Sequence, residues 1–99
     1  MKRTNSRIIL KHLKEQKTKI KSNYQANILG FFGSFARNEQ KANSDIDLLV
    51  EFNQGADLIN YMALSNYLEK ILGRKIDLVS YPFLRAEIKP FVMKELIRL

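Results

Sequence analysis

Ninety-nine residues with a net charge of +7, 45% hydrophobic and 27% charged, have the balance of an ordinary globular chain, and no apolar run is long enough to span a bilayer. The absence of cysteine excludes disulfides, thiolate metal sites and a cysteine nucleophile, so any metal must be held by oxygen or by the lone His12. A chain of this length builds one core, and its basic start meets Lys11 after an apolar run of only residues 8–10, so a single domain over 1–99 without a signal peptide, in the cytoplasm, is expected.

In chain order, Asn5 or Ser6 suits the cap of a first helix running to about residue 21, with Ile9, Leu13 and Ile20 on one stripe. This helix lies in the segment that holds all the excess charge. Residues 1–25 carry eight Lys or Arg against Glu15, whereas residues 26–99 carry nine of each sign. Such a face can steer a protein towards nucleic acid or an acidic partner, or can simply be solvated. Its weak amphipathicity argues against a membrane surface. His12, with no second histidine in the chain, reads as a surface or boundary side chain rather than a ligand.

"NILGFF" reads as a buried strand ending at Gly33, "SFARNEQ" as a short helix and "KANSD" as a turn. "DIDLLVEF" alternates as a second strand, with Ile46, Leu48 and Val50 on one face and Asp45, Asp47 and Leu49 on the other. "NQGADLINYMALSNYLEKILG" is the clearest helix, its apolar side assigned to Leu58, Met62, Leu64, Leu68, Ile71 and Leu72 and its end to Gly73. "KIDLVSY" is a third strand in which Asp77 faces away from Ile76 and Leu78. The tail is helical in composition, with Pro90 expected to end or kink a helix near Lys89. Phe31, Phe32, Phe35, Tyr61 and Tyr67 read as packing residues, and Arg74 and Lys75, which precede the Asp77 strand and could touch phosphate, read as a solvated edge. The alternation of elements predicts an α/β fold.

Two aspartates at i and i+2 of one strand project carboxylates side by side, which suits oxygen-loving Mg²⁺ but occurs in many exposed strands. Gly33 lets the backbone come close to a ligand, Ser34 adds a hydroxyl, and Arg37 adds a guanidinium matched to phosphate oxygens. A tight turn and a solvated arginine are the plain alternatives for these residues. Their coincidence ahead of Asp45 and Asp47 favours a phosphate and metal site. If the Asp77 strand lies next to that of Asp47, three carboxylates converge.

The run "GSFARNEQKANSDIDLLVEF", with Gly33-Ser34, ten intervening residues and Asp45-Ile46-Asp47, resembles the signature of the DNA polymerase β-like nucleotidyltransferases. It looks most like the minimal nucleotidyltransferases, small partners of HEPN-domain proteins in prokaryotic toxin–antitoxin pairs. Asn38 stands where the family pattern has glycine, a mild departure because asparagine tolerates unusual backbone angles. The resemblance implies a polymerase β-like palm, a small mixed sheet flanked by helices. It implies that Gly33 and Ser34, with Arg37 and Ser44, hold the nucleotide. Asp45, Asp47 and Asp77 would bind two Mg²⁺ ions, with Asp77 also the base for the attacking hydroxyl. The reaction it implies is transfer of AMP from ATP to a tyrosine of the cognate HEPN toxin, which silences the toxin. Larger relatives carry further domains for their acceptors, so the partner's surface is expected to complete this site. Two other functions stay open: a module that neutralises a toxin by binding alone, and nucleotide addition to an RNA end.

Overall fold

A computed structural model describes residues 4–99; Lys2 and Arg3 of the basic segment lie outside the described residues. The first helix, α1 (Ser6–Tyr24), starts where the Asn5 side chain accepts the Ile8 N–H at 3.0 Å. Its buried residues are Ile9, Leu13 and Ile20, the stripe read from the sequence. Gln25 then takes a left-handed conformation, φ 53°, and turns the chain into β1 (Ala26–Phe32). A single 3-10 turn, Gly33–Phe35, replaces the expected short helix, and after a loop comes β2 (Ile46–Phe52). Asp45 therefore stands just ahead of its strand rather than in it. Next come α2 (Leu58–Leu72), β3 (Ile76–Ser80), a second 3-10 turn at Tyr81–Phe83, α3 (Lys89–Glu95) and the two-residue β4 (Ile97–Arg98).

The strands form one mixed sheet in the order β3-β2-β1-β4. Strand β2 is antiparallel to β1 and parallel to β3, a pairing that requires the α2 crossover. The register slips between Ile28 and Gly30, which shifts the alternation so that Ala26, Ile28 and Phe31 all enter the core. There they join Ile46, Leu48 and Val50 of β2, Ile76 and Leu78 of β3, and the buried stripes of α1 and α2. Phe35 is buried too, and Tyr61 and Tyr67 pack against the cluster, as expected of packing aromatics. The outer strand β3 is tied to α2: Tyr61 donates to the Leu78 carbonyl at 2.8 Å, and Glu69 accepts the Ile76 N–H at 3.3 Å. No described helix is long and apolar enough to cross a membrane.

Two expectations need correction. Of the apolar side assigned to α2, Leu64, Leu68 and Leu72 are buried and Ile71 packs against the core, but Leu58 and Met62 are 70% and 56% exposed. At about 100° per residue, Met62 turns to the far side of the helix from Leu64 and Leu68. The helix begins where it does because Asp57 and Asn60 exchange side-chain to backbone hydrogen bonds, both 3.0 Å. Pro90 starts a helix rather than ending one. It sits in the first turn of α3, where its missing N–H leaves no hydrogen bond unmade.

Strand β4 was not legible as a strand, and Gly30 shows how it fits. A Cβ at Gly30 would run into the Ile97 carbonyl oxygen and lie 3.0 Å from its carbon. Both atoms belong to the backbone, so relief requires moving β4. Gly30→Ala is expected to loosen this edge and cost about 1–3 kcal/mol in chemical denaturation. Amide exchange at Leu99, which donates to the Leu29 carbonyl at 3.3 Å, should quicken. Unchanged stability and unchanged Leu99 protection would contradict this packing.

Candidate active site

Strand register assembles the site. In the parallel pair Asp47 lies opposite Asp77, and in the antiparallel pair Phe32 lies opposite Asp47, so Gly33, the next residue, arrives at the Asp47 carboxylate. Gly33 has φ of 78°, and a Cβ there would collide with Asp47 Oδ2 and lie 3.0 Å from Cγ. Only glycine fits this approach without strain or displacement. Asp47 is half-buried, whereas Asp45 and Asp77 are exposed.

Charge is poorly balanced here. Burial, first, then the charge of Asp77 and a hydrogen bond shared with it, then the charge of Asp45, push Asp47 up from 3.8 to about 6; Arg37 pulls the other way. A carboxyl held up by burial and by two other carboxylates is a place where a cation relieves repulsion. Among the described residues, no three His, Cys, Asp or Glu side chains are grouped so that they could hold an ion by themselves. The all-oxygen pair Asp47–Asp77, with Asp45 beside it, nevertheless fits Mg²⁺, which is usually held by one or two carboxylates together with substrate phosphates.

Arg37 is half-exposed and already paired: Nε donates to Glu39 at 2.8 Å and Nη1 to Glu95 at 2.9 Å. These hydrogen bonds, that of Glu39 first, raise its pKa above the usual value. The same Glu95 oxygen accepts the Gly33 N–H at 2.9 Å, which ties the end of α3 to the turn. Ser34 lies within the 3-10 turn, and its carbonyl accepts the Glu39 N–H at 2.8 Å. Asn38, in the position where the family pattern has glycine, has φ of 58°. Ser44 Oγ accepts the Lys41 N–H at 2.7 Å and so closes its own loop. Asp45 lines an open cleft of about 200 Å³ between residues 42–45 and 73–75.

Of two further residues at the site, the sequence reading missed Glu95 and misplaced Arg74. Glu95 stands 62 positions from Gly33, and no local signal marks it. Arg74, read as a solvated edge, instead donates to the Ser44 and Lys41 carbonyls and lies over the Phe35 ring. Its place between the helix-ending Gly73 and the Asp77 strand was the only available hint.

Comparison with known proteins agrees with this fold. Residues 13–99 match the nucleotidyltransferase domain family. Protein adenylyltransferase MntA of Thermococcus cleftensis is 34% identical over 85 residues, 86% of either chain. A Methanocaldococcus jannaschii protein to which protein adenylyltransferase activity has been ascribed is 44% identical over 68 residues, 69% of this chain and 79% of the relative. A solved structure ascribed to a minimal nucleotidyltransferase superposes over the whole of both chains, with a TM-score of 0.82 and 31% identity. A crystal structure of a toxin–antitoxin with AMP-PNP matches at TM-score 0.60 and 25% identity, over 76% of this chain and 62% of that one. The family match over residues 13–99 and the full-length likeness in shape agree: the chain belongs to the nucleotidyltransferase domain family and is built like a minimal nucleotidyltransferase.

Proposed function

We propose that this nucleotidyltransferase is the antitoxin of a toxin–antitoxin pair. Acting in the cytoplasm as a single catalytic domain, it transfers AMP from ATP to a tyrosine hydroxyl of a HEPN-domain toxin. One observation carries the reading: Asp47 lies between Gly33 and Asp77, half-buried and with its charge opposed by burial and by the neighbouring carboxylates more than Arg37 offsets. The names of the adenylyltransferase relatives and the toxin–antitoxin neighbour support the substrate and partner.

Asp45, Asp47 and Asp77 would hold Mg²⁺, which when bound supplies neutralisation of phosphate charge and a sharpened acceptor hydroxyl. Gly33 and Ser34 would seat the triphosphate, and Ser44, beside Asp45 on its cleft, would join them. Arg37 adds positive charge beside it, moderated by Glu39 and Glu95. The acceptor oxygen attacks the α-phosphorus, the bond to the β-phosphate oxygen breaks, and pyrophosphate leaves. Asp77, exposed beside Asp47, takes the hydroxyl proton.

The test uses ATP labelled at the α-phosphate, Mg²⁺ and the product of the neighbouring gene. Label is expected on that protein, at tyrosine, and Asp45→Asn with Asp47→Asn should abolish both labelling and neutralisation. Neutralisation that survives the double substitution would make the chain a steric binder. Label on RNA would make it an RNA-end nucleotidyltransferase.

A further inference from the structure

The geometry points to Arg74 as a positioning residue that holds the loop bearing Asp45 in place beside Asp47. It rests on the nucleotidyl-transfer reading above. The guanidinium meets the Ser44 carbonyl through Nε at 3.2 Å and Nη2 at 2.8 Å, and the Lys41 carbonyl through Nη2 at 3.0 Å. Its carbon lies 5.2 Å from the centroid of the Phe35 ring, which is 1% exposed. Thus one side chain touches the loop that ends in Asp45 and the turn that contains Ser34, and it belongs to the segment that leads to Asp77.

What it spends its charge on is informative. Among the described residues Arg74 makes no ion pair. Its fork is given to main-chain carbonyls, so the aspartates keep their negative charge for a cation. The loop otherwise closes on itself by the two Ser44–Lys41 bonds of 2.7 and 3.1 Å, which shape a turn without fixing its distance from the sheet. Arg74, just ahead of β3, supplies that distance on the Lys41–Ser44 side of the loop, while at its strand end the Lys75 carbonyl accepts the Ile46 N–H at 2.9 Å. A lysine cannot reproduce this: its ammonium is a point donor and lacks the planar face that stacks on Phe35.

Amide exchange on the free chain, with steady-state transfer on the same samples, tests the assignment. In Arg74→Lys, exchange at the Ser44 N–H should quicken about tenfold or more while the β1–β2 ladder keeps its protection. The kcat for AMP transfer should fall by a similar factor, with KM for ATP little changed. Arg74→Ala should behave alike; if it also loses ladder protection, Arg74→Lys decides. Unchanged Ser44 exchange in Arg74→Lys would overturn the proposal, and so would quickened exchange with unchanged kcat. A wild-type chain that transfers no AMP would remove the reading of function instead, and the exchange result would still decide whether Arg74 holds the loop.

Discussion

Asp47→Asn is expected to lower AMP transfer by about a thousandfold or more and, at the same time, to make the free protein more stable at neutral pH. The loss follows from removing the central carboxylate of the site. The gain follows from its electrostatics. Burial and the neighbouring carboxylates raise Asp47 from 3.8 to about 6, so between those values the folded chain keeps a proton that the unfolded chain has released. Stability contributed by that proton is complete below about 4, falls as pH rises through the window, and is absent above about 6. Asparagine carries no charge to suppress. Discounted for solvent screening, because Asp47 is only half-buried, the gain at pH 7.5 is about 1 kcal/mol, or about 4–8 °C in Tm. Melting curves at pH 7.5 and pH 4 check the sign: the advantage should be present at the first and gone at the second. Mg²⁺ should raise the wild-type Tm and leave that of Asp47→Asn unchanged. A variant less stable at pH 7.5 would show that Asp47 is not held against its charge.

The parts of this molecule that depend on near neighbours in sequence were legible, and those that depend on distant ones were not. The α1 stripe, the alternation around Asp47 and the opposed placing of Asp77 all follow from side-chain periodicity. The pairing of Asp47 with Asp77 required the order of strands, which no local pattern carries. Composition misled at Met62, because an apolar residue marks a buried face only if it shares the angle of its neighbours around the helix. It misled again at Pro90, since proline is unfavourable inside a helix and favourable at its start. Strand β4 is two residues long, and its pairing with Gly30 comes from the far end of the chain, below any periodic signal. Glu95 and Arg74 reach the site through bonds of long sequence separation, and their residue types are those of ordinary surface charges.

Gly33→Ala is expected to damage transfer far more than stability, because the two costs fall on different atoms. With φ of 78°, alanine there adds about 1–2 kcal/mol of backbone strain. Its methyl group also needs the space that Asp47 Oδ2 occupies. A side-chain carboxylate moves more easily than a strand, so the collision is relieved by swinging Asp47 away from Gly33 and out of register with Asp77. The fold survives that movement and the site does not: a misplacement of about 1 Å can cost about a hundredfold in rate. Gly55→Ala is the control. Gly55 has φ of 94°, yet a Cβ there meets nothing nearer than Gln25 Oε1 at 3.9 Å. It carries comparable backbone strain with no carboxylate to displace. Similar losses of Tm for the two variants, with transfer lost only in Gly33→Ala, are expected from melting curves and labelled AMP transfer. Retained transfer in Gly33→Ala would show that the close approach of the turn to Asp47 plays no part in the chemistry.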